Sequence, residues 1–387
     1  MFIVTNRQVF EDRSHLDAFG PKPNPEGPNE LRLAEARKVG NSWRITILPD
    51  QVTPAMAAEV DLPLPPAPPG GEAPPVFASR YVARRLMARV NPKLVGKSGP
   101  GRDLVLFVHG YNNDMKAVLE RAAAFEDNFG VEVIVFSWPA NGGGVKGVIS
   151  YLSDKRDARA SVGAFDRVLA KMQEFLLEIH AEHETRVTAL AERKYPNDAE
   201  KWDAFYTAEA NKWCPFRINL VCHSMGNYLF KCLLSSSVYR ATSLIFDNVV
   251  LVAADTNNED HDDWVEKIPA RKRVFITINE DDHALRASCL KMGEAQKARL
   301  GHYLFELTAK NATYVDFTGA PHVGTSHAYF EGDPLKNAQV KAFFTAAFNG
   351  EAAEEALNYR TARNTYDLVP TPPIKPKTRP AKRPRSR

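Results

Sequence analysis

Asn219-Leu-Val-Cys-His-Ser-Met-Gly-Asn227 decides the fold of this 387-residue chain. An apolar run that reads as a buried strand breaks into a small-x-Ser-x-Gly turn, and an apolar helical stretch follows from Met225. A sharp strand-to-helix turn of this kind lifts one hydroxyl, that of Ser224, clear of the backbone and aims it outward. Cys222 and Gly226 must be small, because the strand before the serine and the helix after it pass close together.

On both sides of this turn, strand and helix patterns alternate, as a parallel sheet with crossover helices requires. Strands are expected at 104–108, 131–137, 218–222, 248–254, 273–279 and 313–317, and helices at 78–90, 114–128 and from about 153 onward. His109, Trp138, Ser224, Asp255, Asp281 and Asp282 each follow the carboxyl end of a strand, where open α/β sheets place their sites; the loop bearing His322 and His327 does too. Tyr151, Asp154, Ala158 and Ser161 have offsets of one helical face, which reads as a structural face docked beside the site. The Gly142-Gly143-Gly144 run lacks the Lys-Ser/Thr of a phosphate loop and the spacing of a dinucleotide site, so it reads as pocket wall.

Toward the amino end, strands are expected at 2–5 and 43–48, an added pair within an extension over residues 1–60. A Pro/Gly-rich linker follows at 61–77, and the catalytic domain spans 78–350. Within it, residues 182–215 are long, charged and aromatic; they read either as an elongated surface helical insertion, the simpler choice, or as a lid. Residues 366–387 read as a disordered tail: from Thr371 onward there are seven Lys and Arg, no acid, and prolines that forbid a regular helix. Without those seven cations the formal net charge of +3 becomes −4, so a mildly acidic globule carries a basic end.

A hydrophobic fraction of 44% and a charged fraction of 25% describe an ordinary globular protein. Four cysteines show neither metal-ligand pairing nor the density of a disulfide scaffold, so reduced thiols in a cytoplasm are expected and no zinc site. The first seven residues hold an apolar run too short for a signal peptide, and no stretch is long and apolar enough to span a bilayer.

A serine hydroxyl is a poor nucleophile until a base takes its proton and an acid orients that base. Ser224 is followed by Asp255, Asp281 and Asp282 and then by His322 and His327, the order Ser, acid, His. The strings Phe107-Val-His-Gly-Tyr-Asn-Asn113, Ser137-Trp-Pro139, Tyr151-x-x-Asp154-x-x-x-Ala158-x-x-Ser161, His223-Ser-Met-Gly-Asn227, Asp282-x-Ala-Leu285 and Ser326-His-Ala-Tyr-Phe330 carry the chain further. Together, from about Asp103 to Phe330, they resemble the bacterial α/β-hydrolase family of unknown function DUF900.

That resemblance implies an α/β-hydrolase fold, a mostly parallel sheet flanked by helices, and an esterase-like or lipase-like activity. It places the nucleophile at Ser224 and the base at His327, in a motif where Ser326 stands for the usual glycine and Ala328 for the usual serine. Asp282 takes the acid position, with Asp281 beside it and Asp255 at the previous strand end as alternatives. The backbone N–H groups of Tyr111 and Met225 are the expected oxyanion donors; His109 and Trp138 are candidates for the pocket. The substrate is expected to be a small-molecule or lipid acyl ester, with no cofactor. The basic tail could add weak contact with an anionic membrane or nucleic acid. A catalytically silent binding or scaffold protein on the same fold is the competing reading.

Overall fold

Strands rich in Val, Ile, Leu and Phe, apolar on both faces, make a parallel sheet with helices over each side. The computed structural model of this chain is built on one. It describes residues 1–92, 100–140, 147–210, 216–236, 244–289 and 298–368, and only the backbone of 147–150 and 152. The strands are β1 (Phe2–Thr5), β2 (Arg7–Val9), β3 (Phe19–Pro23), β4 (Arg32–Val39), β5 (Ser42–Ile47), β6 (Leu104–Val108), β7 (Glu132–Ser137), β8 (Ile218–His223), β9 (Phe246–Val252), β10 (Ala270–Ile278), β11 (Ala312–Asp316), β12 (Asn358–Arg360) and β13 (Thr365–Asp367). Eleven form one sheet in the order β12-β13-β11-β10-β9-β8-β6-β7-β1-β4-β5, and β2 pairs with β3 apart from it. From β13 to β1 all neighbours are parallel. At the two edges the pairing turns antiparallel.

The helices are α1 (Pro54–Glu59), α2 (Ala78–Val90), α3 (Met115–Phe129), α4 (Gly147–Ala160), α5 (Val162–Lys194), α6 (Ala199–Ala210), α7 (Met225–Leu234), α8 (Asp262–Val265), α9 (His283–Cys289) and α10 (Ala338–Phe348). Alternation along the strands sorts the core into two layers. Phe2, Val4, Leu104, Leu106 and Leu220 pack with α2, α5 and α7, whereas Ile3, Val105, Phe107, Val133 and Val221 pack with α3 and α10. Helix α3 shows local causes at both ends. The Asp114 side chain accepts from the Ala117 N–H at 2.8 Å, and Gly130 closes the helix at φ 68°, a left-handed position that costs glycine little.

Two expectations change. The amino-terminal segment contributes three strands to the main sheet rather than a pair laid on it. Strand β1 runs parallel beside β7, with Thr5 opposite Ser137, and β4 and β5 follow outward. β4 carries Arg32, Glu35, Arg37 and Lys38 among its eight residues and exposes its last three, so it lacks the apolar run of a buried strand. At the other end, β12 and β13 carry the ordered domain past residue 350, with β13 joining β11. Residues 366–368 therefore belong to the fold, and the basic segment 369–387 lies outside the described residues, as do the Gly142-Gly143-Gly144 run and Cys214.

Of the two readings of 182–215, the surface helical insertion is the one the described residues fit. Helix α5 has 33 residues, about 50 Å at 1.5 Å per residue, more than twice the length of the strands it crosses. It starts at the carboxyl edge, where Ser161 Oγ meets Asn6 Nδ2 at 2.9 Å. Farther on, Phe175 and Ile179 line one cavity with Leu104 and Ile218, the first residues of β6 and β8. The end of α5 and the returning α6 thus extend past the amino edge of the sheet, opposite to Ser224, which is no place for a lid. Residues 211–215 lie outside the described residues.

Candidate active site

Ser224 stands between β8 and α7 with φ 53° and ψ −121°, a positive-φ conformation that a residue bearing a Cβ adopts at a cost of about 1–3 kcal/mol. The turn is held from three sides. The Ser224 N–H donates to the Val252 carbonyl at 3.0 Å and the Asp255 N–H to the Ser224 carbonyl at 3.3 Å. Asn227 Nδ2 lies within 3.2 Å of the Cys222, Ser224 and Val252 carbonyls. Close approach explains Gly226: a Cβ there would lie 2.6 Å from the Val108 carbonyl oxygen and 2.8 Å from that of His109. Gly110 meets the same limit, since its Cβ would lie 2.7 Å from Ser224 Cβ. Ser224 is not serving as an ordinary helix cap, for its side chain makes no capping hydrogen bond.

His327 and Asp282 are brought together, with His327 Nδ1 2.7 Å from Asp282 Oδ2. Asp282 is fully buried and His327 partly exposed. An Nδ1–H donated to the carboxylate leaves the lone pair on Nε2, the tautomer a general base needs. The Asp-x-Ala-Leu spacing now has a physical reason: Asp282 Oδ1 accepts from the Ala284 and Leu285 N–H groups at 2.9 and 3.0 Å, so the carboxylate caps α9 with one oxygen and holds the imidazole with the other. His223 ties this pair to the elbow. Its Nε2 lies 3.1 Å from the His327 carbonyl oxygen, and the two ring centroids are 4.8 Å apart. Burial holds His223 well below the usual histidine range, the neighbouring His327 and Arg121 adding to the shift, so it is a neutral donor.

The segment carrying His327 is fastened at several points that the sequence reading did not assign. Asn279, at the end of β10, donates from Nδ2 to the Gly324 and Ser326 carbonyls at 3.0 and 3.2 Å. Tyr329 Oη lies 2.7 Å from Thr277 Oγ1, and Phe330 sits edge-on against His223 at 5.1 Å. Arg121 forks onto Glu331 at 2.8–3.1 Å and reaches Asn113 Oδ1 at 3.1 Å, joining this segment to the 109–113 turn. Except for Arg121 with Asn113, these contacts run between elements far apart in sequence; Asn113, Tyr329 and Phe330 stood in the quoted strings, whereas Asn279 and Arg121 did not.

The remaining candidates separate. His322 is exposed and turned toward Asp333, 3.4 Å away. Asp281 is exposed, next to the buried Asp282. Asp255 is buried but taken up elsewhere: Ser288 Oγ donates to it at 2.6 Å, Tyr151 Oη at 3.0 Å, and Arg299 Nε lies 3.2 Å away, so it does not serve His327. His109 and Trp138, the candidates for the pocket, have no exposed surface. Both are fully buried behind the 109–113 turn, stacked at 5.3 Å, with Trp138 Nε1 donating to the His109 carbonyl at 2.9 Å. Burial, followed by the charge of Arg7, pushes the His109 pKa down to about 3, so it too is neutral.

Tyr111 is partly exposed at this turn, its ring edge-on to Tyr151 at 5.6 Å. Met225 begins α7, where the first N–H groups have no partner within the helix and the helix dipole favours negative charge. Among the described residues, no group of three His, Cys, Asp or Glu converges as a metal-binding set, and no helix is long and apolar enough to cross a membrane. A family model for an alpha/beta hydrolase of unknown function, DUF900, matches residues 88–181 and 203–336, more than half of the chain. No curated protein and no solved structure matches.

Proposed function

This chain belongs to the DUF900 family of α/β-hydrolases, and from that premise we propose that it is a serine hydrolase cleaving an acyl ester through an acyl-enzyme on Ser224. The observation that carries the reading is the Asp282–His327 hydrogen bond held against a strained serine turn. Ser224 Oγ attacks the ester carbonyl carbon while His327 Nε2 takes its proton, and Asp282 stabilises the imidazolium that forms. The oxyanion is received by the backbone N–H groups of Tyr111 and Met225, each such donor commonly contributing about a hundredfold to a thousandfold in rate. The C–O bond then breaks, and His327 returns the proton to the departing alkoxide. Water, deprotonated in turn by His327, releases the acid and restores Ser224.

A fluorophosphonate probe tests this directly. Wild-type protein is expected to be labelled at Ser224 and to hydrolyse short-chain esters or lipid esters, and Ser224→Ala to do neither. A folded wild type that never reacts would leave the competing reading, a binding protein on a hydrolase fold.

A further inference from the structure

Arg7 lies at the start of β2, in the amino-terminal segment outside both stretches matched by the family model. It is 2% exposed, and among the described residues its side chain donates three hydrogen bonds, all to neutral acceptors. Nε donates to Ser137 Oγ at 2.9 Å, Nη1 to the Ala140 carbonyl at 3.3 Å and Nη2 to the Asn113 carbonyl at 3.2 Å. One planar fork therefore joins the turn after β7 to the turn after β6, a geometry that a lysine ammonium cannot reproduce. No carboxylate bonds the guanidinium among the described residues; burial pushes its pKa down to about 10, and Asp154, Asp114 and Asp157 nearby favour its charge without touching it.

Two chains of contacts lead from Arg7 to a single peptide. Ser137 Oγ, which accepts from Arg7, lies 3.4 Å from His109 Nε2, and His109 Nδ1 lies 2.9 Å from the Gly110 carbonyl oxygen. Asn113, whose carbonyl accepts from Arg7, donates from Nδ2 to that same Gly110 oxygen at 3.0 Å. The C=O and N–H of a trans peptide point in opposite directions, so pinning the Gly110 oxygen fixes where the Tyr111 N–H points. Donors on the carbonyl also polarise the peptide and strengthen its N–H.

We infer that Arg7 is a positioning residue of the oxyanion-binding turn, supplied by the amino-terminal strands and aiming the Tyr111 N–H at the oxygen that becomes negative on Ser224 attack. This rests on the serine-hydrolase reading. Because the oxyanion develops only in the transition state, loss of Arg7 lowers kcat and spares ground-state binding.

The test compares wild type, Ser224→Ala, Arg7→Lys and Arg7→Gln. In folded Arg7 variants kcat on a short-chain chromogenic ester is expected to fall at least about tenfold with KM changed by less than about threefold, the signature of an interaction made in the transition state. Fluorophosphonate labelling should slow in step, and amide hydrogen exchange over 109–113 should quicken. Turnover and labelling within about twofold of wild type in either folded variant would overturn the inference, as would failure of both variants to fold, which would make Arg7 a folding residue. If wild type itself is never labelled, the serine-hydrolase reading fails on its own account. Hydrogen exchange in Arg7→Lys then still decides whether Arg7 clamps the turn, unchanged exchange counting against it.

Discussion

At the scale of single residues, two buried aspartates that look alike in sequence have separate jobs, and substitution separates them. Asp282→Asn keeps an oxygen for the Ala284 and Leu285 N–H groups but no longer fixes the His327 tautomer. The expected result is a fall in kcat of about three to four orders of magnitude with little change in melting temperature. Asp255→Asn removes the carboxylate facing the buried Arg299, so stability should drop by about 3–5 kcal/mol while any folded protein still labels at Ser224. Chemical denaturation beside labelling kinetics checks both; the reverse pattern would exchange the two assignments. His223 adds a pH dependence. It stays neutral when folded and takes up a proton when unfolded, so as pH falls below about 6.5 the unfolded state binds more protons and stability is lost. His109 acts in the same direction down to about pH 3, and the buried carboxyls of Asp103 and Asp316, held above their usual range by burial, act against both. His223→Gln keeps a donor where Nε2 was and does not titrate. Its stability should therefore decline less between pH 7 and 5, by up to about 1.4 kcal/mol per pH unit; parallel curves would refute this.

At the scale of elements, the site exists because α7 can lie against β6 without a side chain between them. Gly226→Ala puts a methyl group into the Val108 and His109 carbonyl oxygens, which belong to the end of β6 and the turn that follows it and have little freedom to move. A helix ordinarily prefers alanine to glycine by about 0.5–1 kcal/mol, and here the overpacking should win, with a net loss of about 1–3 kcal/mol and lower turnover. Stability and kcat measured on the same preparation check it; a stabilised, fully active variant would mean that the two elements separate easily. The small-x-Ser-x-Gly pattern was therefore readable as geometry before any coordinates. In contrast, β4 and β13 were not, because β4 carries Arg32, Glu35, Arg37 and Lys38 in its eight residues and β13 is only three residues long, so neither shows the continuous apolar run by which a buried strand is recognised.

At the scale of the whole molecule, residues 1–50 complete the sheet. Phe2 and Ile3 are fully buried on its two faces, and β1 covers the edge of β7. Deleting these residues should leave an open apolar strand edge and yield aggregated protein. Size-exclusion chromatography decides, and a monodisperse, labelling truncation would show that the segment is dispensable. The order of the central strands and helices and the position of the Ser224 turn were legible in the sequence, because a buried strand and a tight turn each act within a few neighbouring residues; His327 and Asp282 became candidates through the family resemblance of their motifs. Which aspartate faces His327, where α5 and α6 lead, and how Arg7, His223, Asn279 and Arg121 brace the site were decided only by the tertiary structure. Their partners are separated by up to two hundred residues, and a hydrogen bond across that distance leaves no mark in the local pattern at either end.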